Sequence, residues 1–329
     1  MKIALIGPGI MPIPPPGWGA VEILIWDYYK ELSNQGHQVD IINKMRQNDY
    51  EQNDSSSKYC KDLIEDINNN KYDFVHIHYD VLFHTMKFLT CKKVAITSHY
   101  PYIDQLNKHK YDGYDRIFTE ICSNNNHFIF ALSKKDYDVF KNYSINTNNI
   151  GLLINAANSK EINLLEDCKC KYIDKSIYVA KIEPRKNQHK YYMIQNLDFY
   201  GRCDANNNFR QLECYKGELE HTELIETMRN YGNLVLLSDG ESDPLVIKEA
   251  LMAGLPIVTN SYCINDLDIS LPFIDIIPNN KLDDIQYITE IINENRKKQQ
   301  YKREIREYAI NNFSYENLIH RYIEKIKSI

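Results

Sequence analysis

The chain has 329 residues, 43% of them apolar, and a formal net charge of −6 with 26% charged residues mixed along its length. That is more chain than one ordinary hydrophobic core holds, so two domains of similar size are expected. The acidic balance gives no electrostatic basis for nucleic acid as a partner; any anionic ligand must be held by a few placed cations.

In chain order, MKIALIGPGIM carries one lysine and a short apolar run closed by Gly-Pro, and it reads as a buried first strand rather than a signal peptide. No segment approaches about 18 uninterrupted apolar residues, so no membrane span is expected. The eight cysteines, at positions 60, 91, 122, 168, 170, 203, 214 and 263, have no zinc or redox spacing. They read as reduced thiols of a cytoplasmic protein.

Short apolar strands then alternate with helical stretches. The first set is KIALIG from Lys2, QVDIIN from Gln38, FVHIH from Phe74, KVAITSH from Lys93, FIFALS from Phe128 and NIGLLIN from Asn149. The second is SIYVAK from Ser176, LDFYG from Leu197, LECYKG from Leu212, NLVLLSD from Asn233, LPIVTN from Leu255 and FIDIIP from Phe273. Two such sets predict an α/β protein with two Rossmann-like, doubly wound parallel sheets. The polar stretch from Lys160 divides them, giving domains 1–165 and 166–312, with 313–329 as a terminal helix. On that helix Leu318, Ile319, Tyr322, Ile323 and Ile326 fall on one apolar face.

Ligands of open parallel sheets bind beyond the carboxyl ends of the strands. His78, His99, Ser133, Asn155, Lys181, Gly201, Gly217 and Glu241 follow strands here. The segment GESDPLVIKEALMAGLPIV from Gly240 adds local detail. Ser242 or Asp243 suits a helix N-cap, Pro244 the first helical position, and Gly254 with Pro256 the end. Glu241 therefore belongs to the loop and Glu249 to the helix. Taken singly, each of these residues is ordinary: a helical Glu or a Lys pair after a strand is usually solvated surface.

Their order along the chain resembles the retaining glycosyltransferases of family 4, of GT-B architecture, over nearly the whole length. The resemblance rests on PPPGWGAVE from Pro14, NQGHQVDII from Asn34, DFVHIH from Asp73, His99, and ALSKKD from Ala131. In the second half it rests on AKIEPRKNQ from Ala180, FYGRCD, YKGEL and the Glu241/Glu249 segment. The chain departs from the family at Ala180 and Lys181, where Gly and Arg are usual, at INAAN from Ile154, and at Trp18, where a second Gly is common.

The resemblance implies an acceptor-side first domain, a nucleotide-sugar-binding second domain facing it across a deep cleft, and a terminal helix returning to the first domain. It implies transfer of a hexose from a nucleoside diphosphate sugar, GDP-mannose ahead of UDP-glucose, to a glycan or other hydroxyl acceptor. It implies a reaction that would need no metal and no cofactor. Lys181 and Lys186, with the Gly17-Trp18-Gly19 turn, would bind the diphosphate. Glu241 and His99 would meet the sugar and Glu249 the ribose. Backbone groups of Asp243, Pro244, Leu245 and Val246 would meet sugar or phosphate, and the segment holding Gly217 and Leu219 would flank the base. A homodimer is compatible with this reading.

Other readings stay open. IGPG near Gly7 suggests a nicotinamide site, without its third glycine or the acid after the second strand. His76 and His78 share a strand face and could start a metal site with His84 or His99. The Asp136/Asp138 and Asp266/Asp268 pairs look incidental. A hydrolase or epimerase of the same fold, or a non-catalytic nucleotide-sugar binder, also fits.

Overall fold

The computed structural model describes residues 1–123, 126–164 and 170–328. The chain divides into two units. One comprises Met1–Pro15, Gly19–Ile154 and the stretch from Tyr315 onward; the other comprises Pro16–Trp18 and Asn155–Ser314. The domain boundary expected at 165/166 and Cys168 lie outside the described residues. The other seven cysteines are free thiols.

In the first unit the strands are β1 (Lys2–Ile6), β2 (Gln38–Ile42), β3 (Phe74–Ile77), β4 (Val94–Thr97), β5 (Phe128–Ala131) and β6 (Ile150–Leu152). They form one sheet in the order β2-β1-β3-β4-β5-β6, each neighbouring pair parallel. The sequence of β1 is a continuous apolar run because both faces are covered; Ile3, Ala4, Leu5 and Ile6 are all fully buried. Helices α1 (Ala20–Asn34), α2 (Lys58–Asn70), α3 (Leu106–Asp112), α4 (Asp115–Ser123) and α5 (Lys134–Tyr143) follow the strands.

In the second unit, β7 (Tyr172–Val179), β8 (Leu197–Tyr200), β9 (Tyr215–Gly217), β10 (Tyr231–Leu236), β11 (Ile257–Asn260) and β12 (Ile274–Ile277) form a sheet in the order β12-β11-β10-β7-β8-β9. All its pairs are parallel. Its helices are α6 (Gln188–Tyr191), α7 (His221–Met228), α8 (Leu245–Met252), α9 (Ile285–Arg296) and α10 (Lys302–Phe313). From β7 the chain builds outward through β8 and β9, then returns to lay β10, β11 and β12 on the other side. The order therefore reverses between β7 and β10, the kind of position at which open parallel sheets bind ligands.

All the expected strands form. β7 starts earlier than its apolar core suggested, at Tyr172, and the register with β10 shifts between Tyr231 and Asn233. Its extra residues Tyr172 and Ile173 are exposed, which hid them from a reading based on burial.

The last helix, α11 (Tyr315–Ser328), belongs to the first unit. Its buried face holds Leu318, Ile319, Tyr322, Ile323 and Ile326, as the spacing predicted, together with Tyr315. The Tyr322 hydroxyl lies 2.9 Å from His76 Nδ1, and the Tyr322 ring meets Tyr28 of α1 edge-on at 5.1 Å. Each such large apolar side chain contributes about 1.5–3 kcal/mol on burial.

Candidate functional site

The point between β7 and β10 where the strand order reverses is built on one buried tyrosine. Tyr178, in β7, donates its hydroxyl proton to the Lys186 carbonyl at 2.6 Å and accepts from the Leu237 N–H at 3.0 Å. It thus ties the loop after β7 to the loop after β10. Asn187, in the left-handed region at φ 56°, ends the Pro184–Lys186 turn. Its amide donates to the Leu237 carbonyl at 3.1 Å and to Asp239 Oδ1 at 2.5 Å. Arg185 adds a third tie, with Nη1 donating to the Gly240 carbonyl at 2.8 Å and its own carbonyl accepting from Asp239 N–H at 2.9 Å. Gly201, at φ 138°, packs against the Ala180 backbone so closely that a Cβ would collide with that carbonyl.

Into this frame projects Glu241, which is buried and lies in the loop before α8, as expected. Its carboxylate pairs with Lys186 Nζ and lies 3.2 Å from Arg185 Nη1. Burial acts to raise its pKa, but the two cations outweigh burial and hold the carboxyl below its ordinary value. Arg185 Nη2 also donates to Glu183 Oε1 at 2.8 Å. Lys181 stands apart from this group, partly exposed and 3.9 Å from Glu183.

Lys181 Nζ lies 5.9 Å from the centre of the Trp18 ring and Arg202 Cζ 4.6 Å from it, so two cations share one indole. Beside Trp18, a Cβ on Gly17 would stand 3.3 Å from Glu218 Oε1 and 3.7 Å from the Leu219 carbonyl oxygen. Gly217 closes β9 at φ 97°. Gly19, in the first unit, caps α1 at φ 125°, where a side chain would strike Met11 and Glu22.

The start of α8 differs from expectation. The helix begins at Leu245, Pro244 occupies the cap position at ψ 113°, and no side chain caps it. Asp243 is occupied elsewhere. One of its carboxylate oxygens accepts from the Asn155 N–H at 2.7 Å, the other lies 3.1 Å from Lys248 Nζ, and its carbonyl accepts from the Asn155 amide at 2.8 Å. Both charged side chains are almost wholly enclosed, and Lys248 Nζ sits 3.9 Å over the Phe313 ring. Burial raises the Asp243 pKa, with Lys248 acting against it. Of the backbone groups expected to bind ligand between Asp243 and Val246, Pro244 supplies no N–H; those of Leu245 and Val246, in the first turn, have no intrahelical acceptor.

Glu249, on α8, is buried and accepts a hydrogen bond from His221 Nε2 at 2.6 Å. Sequence reasoning did not single out His221, Arg185, Tyr178 or Lys248. Arg185 could have been found as the second cation of the PRK turn. His221 could have been found as the polar residue opening the helical run after YKGEL.

In the first unit, His99 follows β4 and is partly buried; its surroundings lower its pKa to about 4, so the imidazole is neutral at physiological pH. His76 and His78 share a strand face as expected, with ring centres 3.8 Å apart. His76 Nε2 also lies 2.8 Å from the Thr97 hydroxyl. Among the described residues no group of three or more His, Cys, Asp or Glu side chains is placed to hold a metal ion. Among the described residues no helix is long and apolar enough to cross a membrane.

No protein-family model matches the chain, and no curated protein sequence matches it significantly. Solved structures do. Sucrose-phosphate synthase from Thermosynechococcus elongatus aligns over 100% of this chain and 98% of its own, with a TM-score of 0.77 at 16% identity. Anabaena HepE, in complex with UDP-glucose, aligns over 100% of both chains with a TM-score of 0.74 at 12% identity. WaaG, a glycosyltransferase of lipopolysaccharide biosynthesis, aligns over 97% of this chain and 98% of its own, with a TM-score of 0.71 at 12% identity. With its two doubly wound parallel sheets and matches along the whole chain, the protein has the GT-B fold of glycosyltransferases.

Proposed function

We propose that the protein is a retaining glycosyltransferase that moves a hexose from a nucleoside diphosphate sugar to a hydroxyl-bearing acceptor, and that the donor binds at the β7/β10 crevice. The observation that carries this reading is the buried Glu241 carboxylate held by Lys186 and Arg185 where the strand order reverses. That is where an open α/β sheet binds ligands, and it concentrates cations that can meet a diphosphate.

On this reading, Lys186 and Lys181 take the diphosphate, Glu241 faces the sugar hydroxyls and Glu249 accepts from the ribose. The N–H groups at the start of α8 meet sugar or phosphate. Gly17, Trp18 and Gly217 lie along the donor, and Leu219 flanks the base. The bond from the anomeric carbon to the phosphate oxygen breaks, its electron pair leaving with the diphosphate, where fixed cations stabilise the charge. The acceptor oxygen attacks from the same face, and its proton passes to the departing phosphate oxygen. No metal enters this scheme. His99 in the first unit is proposed to meet sugar or acceptor as a neutral imidazole, and the first unit to carry the acceptor.

The UDP-glucose bound to Anabaena HepE supports a uridine donor, and GDP-mannose is the second choice. Calorimetric titration with UDP-glucose, GDP-mannose and ADP-glucose tests the binding step. NMR of products made with and without pooled sugar acceptors then reads transfer, hydrolysis and anomeric configuration. Transfer with retention is the expected result. Release of free sugar regardless of acceptor would move the reading to a hydrolase, and no binding of any nucleotide sugar would overturn it.

A further inference from the structure

The carboxylate of Glu249 has a partner that the donor reading does not use. His221 is the first residue of α7, two positions beyond Leu219, and its Nε2 lies 2.6 Å from Glu249 Oε1. The Glu249 side chain is 7% exposed and that of His221 27%, so the imidazole covers the outer edge of a carboxylate that is itself enclosed. A glutamate on a helix surface ordinarily samples several rotamers. This one is anchored through one oxygen, which fixes where the other oxygen points.

We propose that His221 is a positioning residue for Glu249, orienting its second oxygen to accept from a ribose hydroxyl and so selecting ribonucleotides over 2′-deoxyribonucleotides. This rests on the donor reading above. The imidazole, with its proton on Nε2, donates to Oε1; Oε2 is then left to take the ribose hydroxyl. A site built to receive a hydroxyl discriminates strongly against an analogue that lacks it, because the buried acceptor is left unpaired. That discrimination requires the acceptor to be held in place when the ribose is missing, and the hydrogen bond from His221 holds it. Binding of the ribonucleotide then costs less side-chain ordering.

The test is calorimetric binding of UDP and 2′-deoxy-UDP, repeated with GDP and its 2′-deoxy form, to the wild-type protein and to the His221→Ala, His221→Gln and Glu249→Gln variants. Thermal melting serves as a control for folding. The wild-type protein is expected to prefer the ribose form by about tenfold or more. His221→Ala should lose most of that preference by weakening the ribose form, leaving the deoxy form nearly unchanged. His221→Gln, whose amide can still donate, should restore part of the preference, and Glu249→Gln should abolish it.

An unchanged ribose-to-deoxyribose ratio in His221→Ala would overturn the proposal while leaving the donor reading intact. Equal weakening of both forms would assign His221 a structural role only and overturn it too. Failure of the wild-type protein to bind any of the four nucleotides would overturn the donor reading, and this proposal with it.

Discussion

Arg185 Nη1 and Glu241 Oε2 lie 3.2 Å apart, although one residue comes from the loop after β7 and the other from the loop after β10. Lys186, the neighbour of Arg185, takes the other carboxylate oxygen. The Glu241 carboxylate thus shares two cations, one of which, Arg185, also pairs with Glu183. Replacing Glu241 with Gln keeps the shape and removes the charge. Turnover is expected to fall about 10²–10³-fold, with nucleotide affinity equal to or tighter than wild type, since Lys186 no longer has an internal anion. Steady-state kinetics beside calorimetry with UDP checks this, and a fully active variant would remove Glu241 from the chemistry.

Tyr178 holds the two loops of the crevice through one hydroxyl. The Tyr178→Phe variant leaves the Lys186 carbonyl and the Leu237 N–H without that partner. A loss of about 1–3 kcal/mol in unfolding free energy is expected, read by urea denaturation. Weaker donor binding should accompany it, because the Lys186 turn loses its anchor.

The enclosed pair of Asp243 and Lys248 offers a sharper test of electrostatics. Lys248→Met leaves a buried carboxylate without its cation, and about 3–5 kcal/mol of stability should be lost. Adding Asp243→Leu should recover a large part of this, since two apolar residues replace two charges at a buried site. Denaturation midpoints of the two single variants and the double variant measure the coupling; additive losses would contradict the argument.

The buried histidines set the response to acid. Burial lowers the pKa of His76 and His78 well below the ordinary range, and that of His99 and His127 to about 4. In the unfolded chain these groups take up protons near pH 6.5. Between about pH 6.5 and 4 the unfolded state therefore binds more protons, and stability falls as pH drops, by up to about 1.4 kcal/mol per pH unit for each group. Melting temperature should be flat above pH 7 and fall steadily below 6.5. Both ring nitrogens of His78 are buried without a hydrogen-bond partner, so His78→Leu should make the acid slope shallower at little cost in stability at pH 7. An unaltered slope would mean that His78 does not contribute.

Trp18 and Trp26 are the two tryptophans of the chain, and Trp26 is stacked on Tyr29 at 5.2 Å. With Trp26→Phe, Trp18 becomes the sole indole, and its emission reports whether Lys181 and Arg202 stay on its face. Addition of UDP is expected to change that emission with a midpoint equal to the calorimetric Kd. A silent Trp18 at saturating UDP would show that the two cations do not move toward the diphosphate.

The strands were legible because a parallel sheet buried on both faces requires short, nearly continuous apolar runs, and β1, β3 and β10 are such runs. The positions of Glu241 and Glu249 were legible for a related reason: Pro244, Gly254 and Pro256 bracket a helix locally. The exact start of α8 was not, because the local signal at Asp243 was overridden by Asn155 and Lys248, one distant in sequence and the other a turn further on. The roles of His221 and Arg185 were illegible for the same cause. Each has a local place, Arg185 in the PRK turn and His221 at the start of a helical run, but acquires a role only through a carboxylate that folding brings to it.

By itself, then, the sequence determined which segments become strands and helices and which polar residues stand at strand ends, since those follow from periodicity, turn chemistry and chain order. Only the tertiary structure decided which charges meet. An ion pair or a hydrogen bond between residues such as Arg185 and Glu241, or His221 and Glu249, depends on distances of a few ångströms that strand order and loop packing set and that no local pattern encodes.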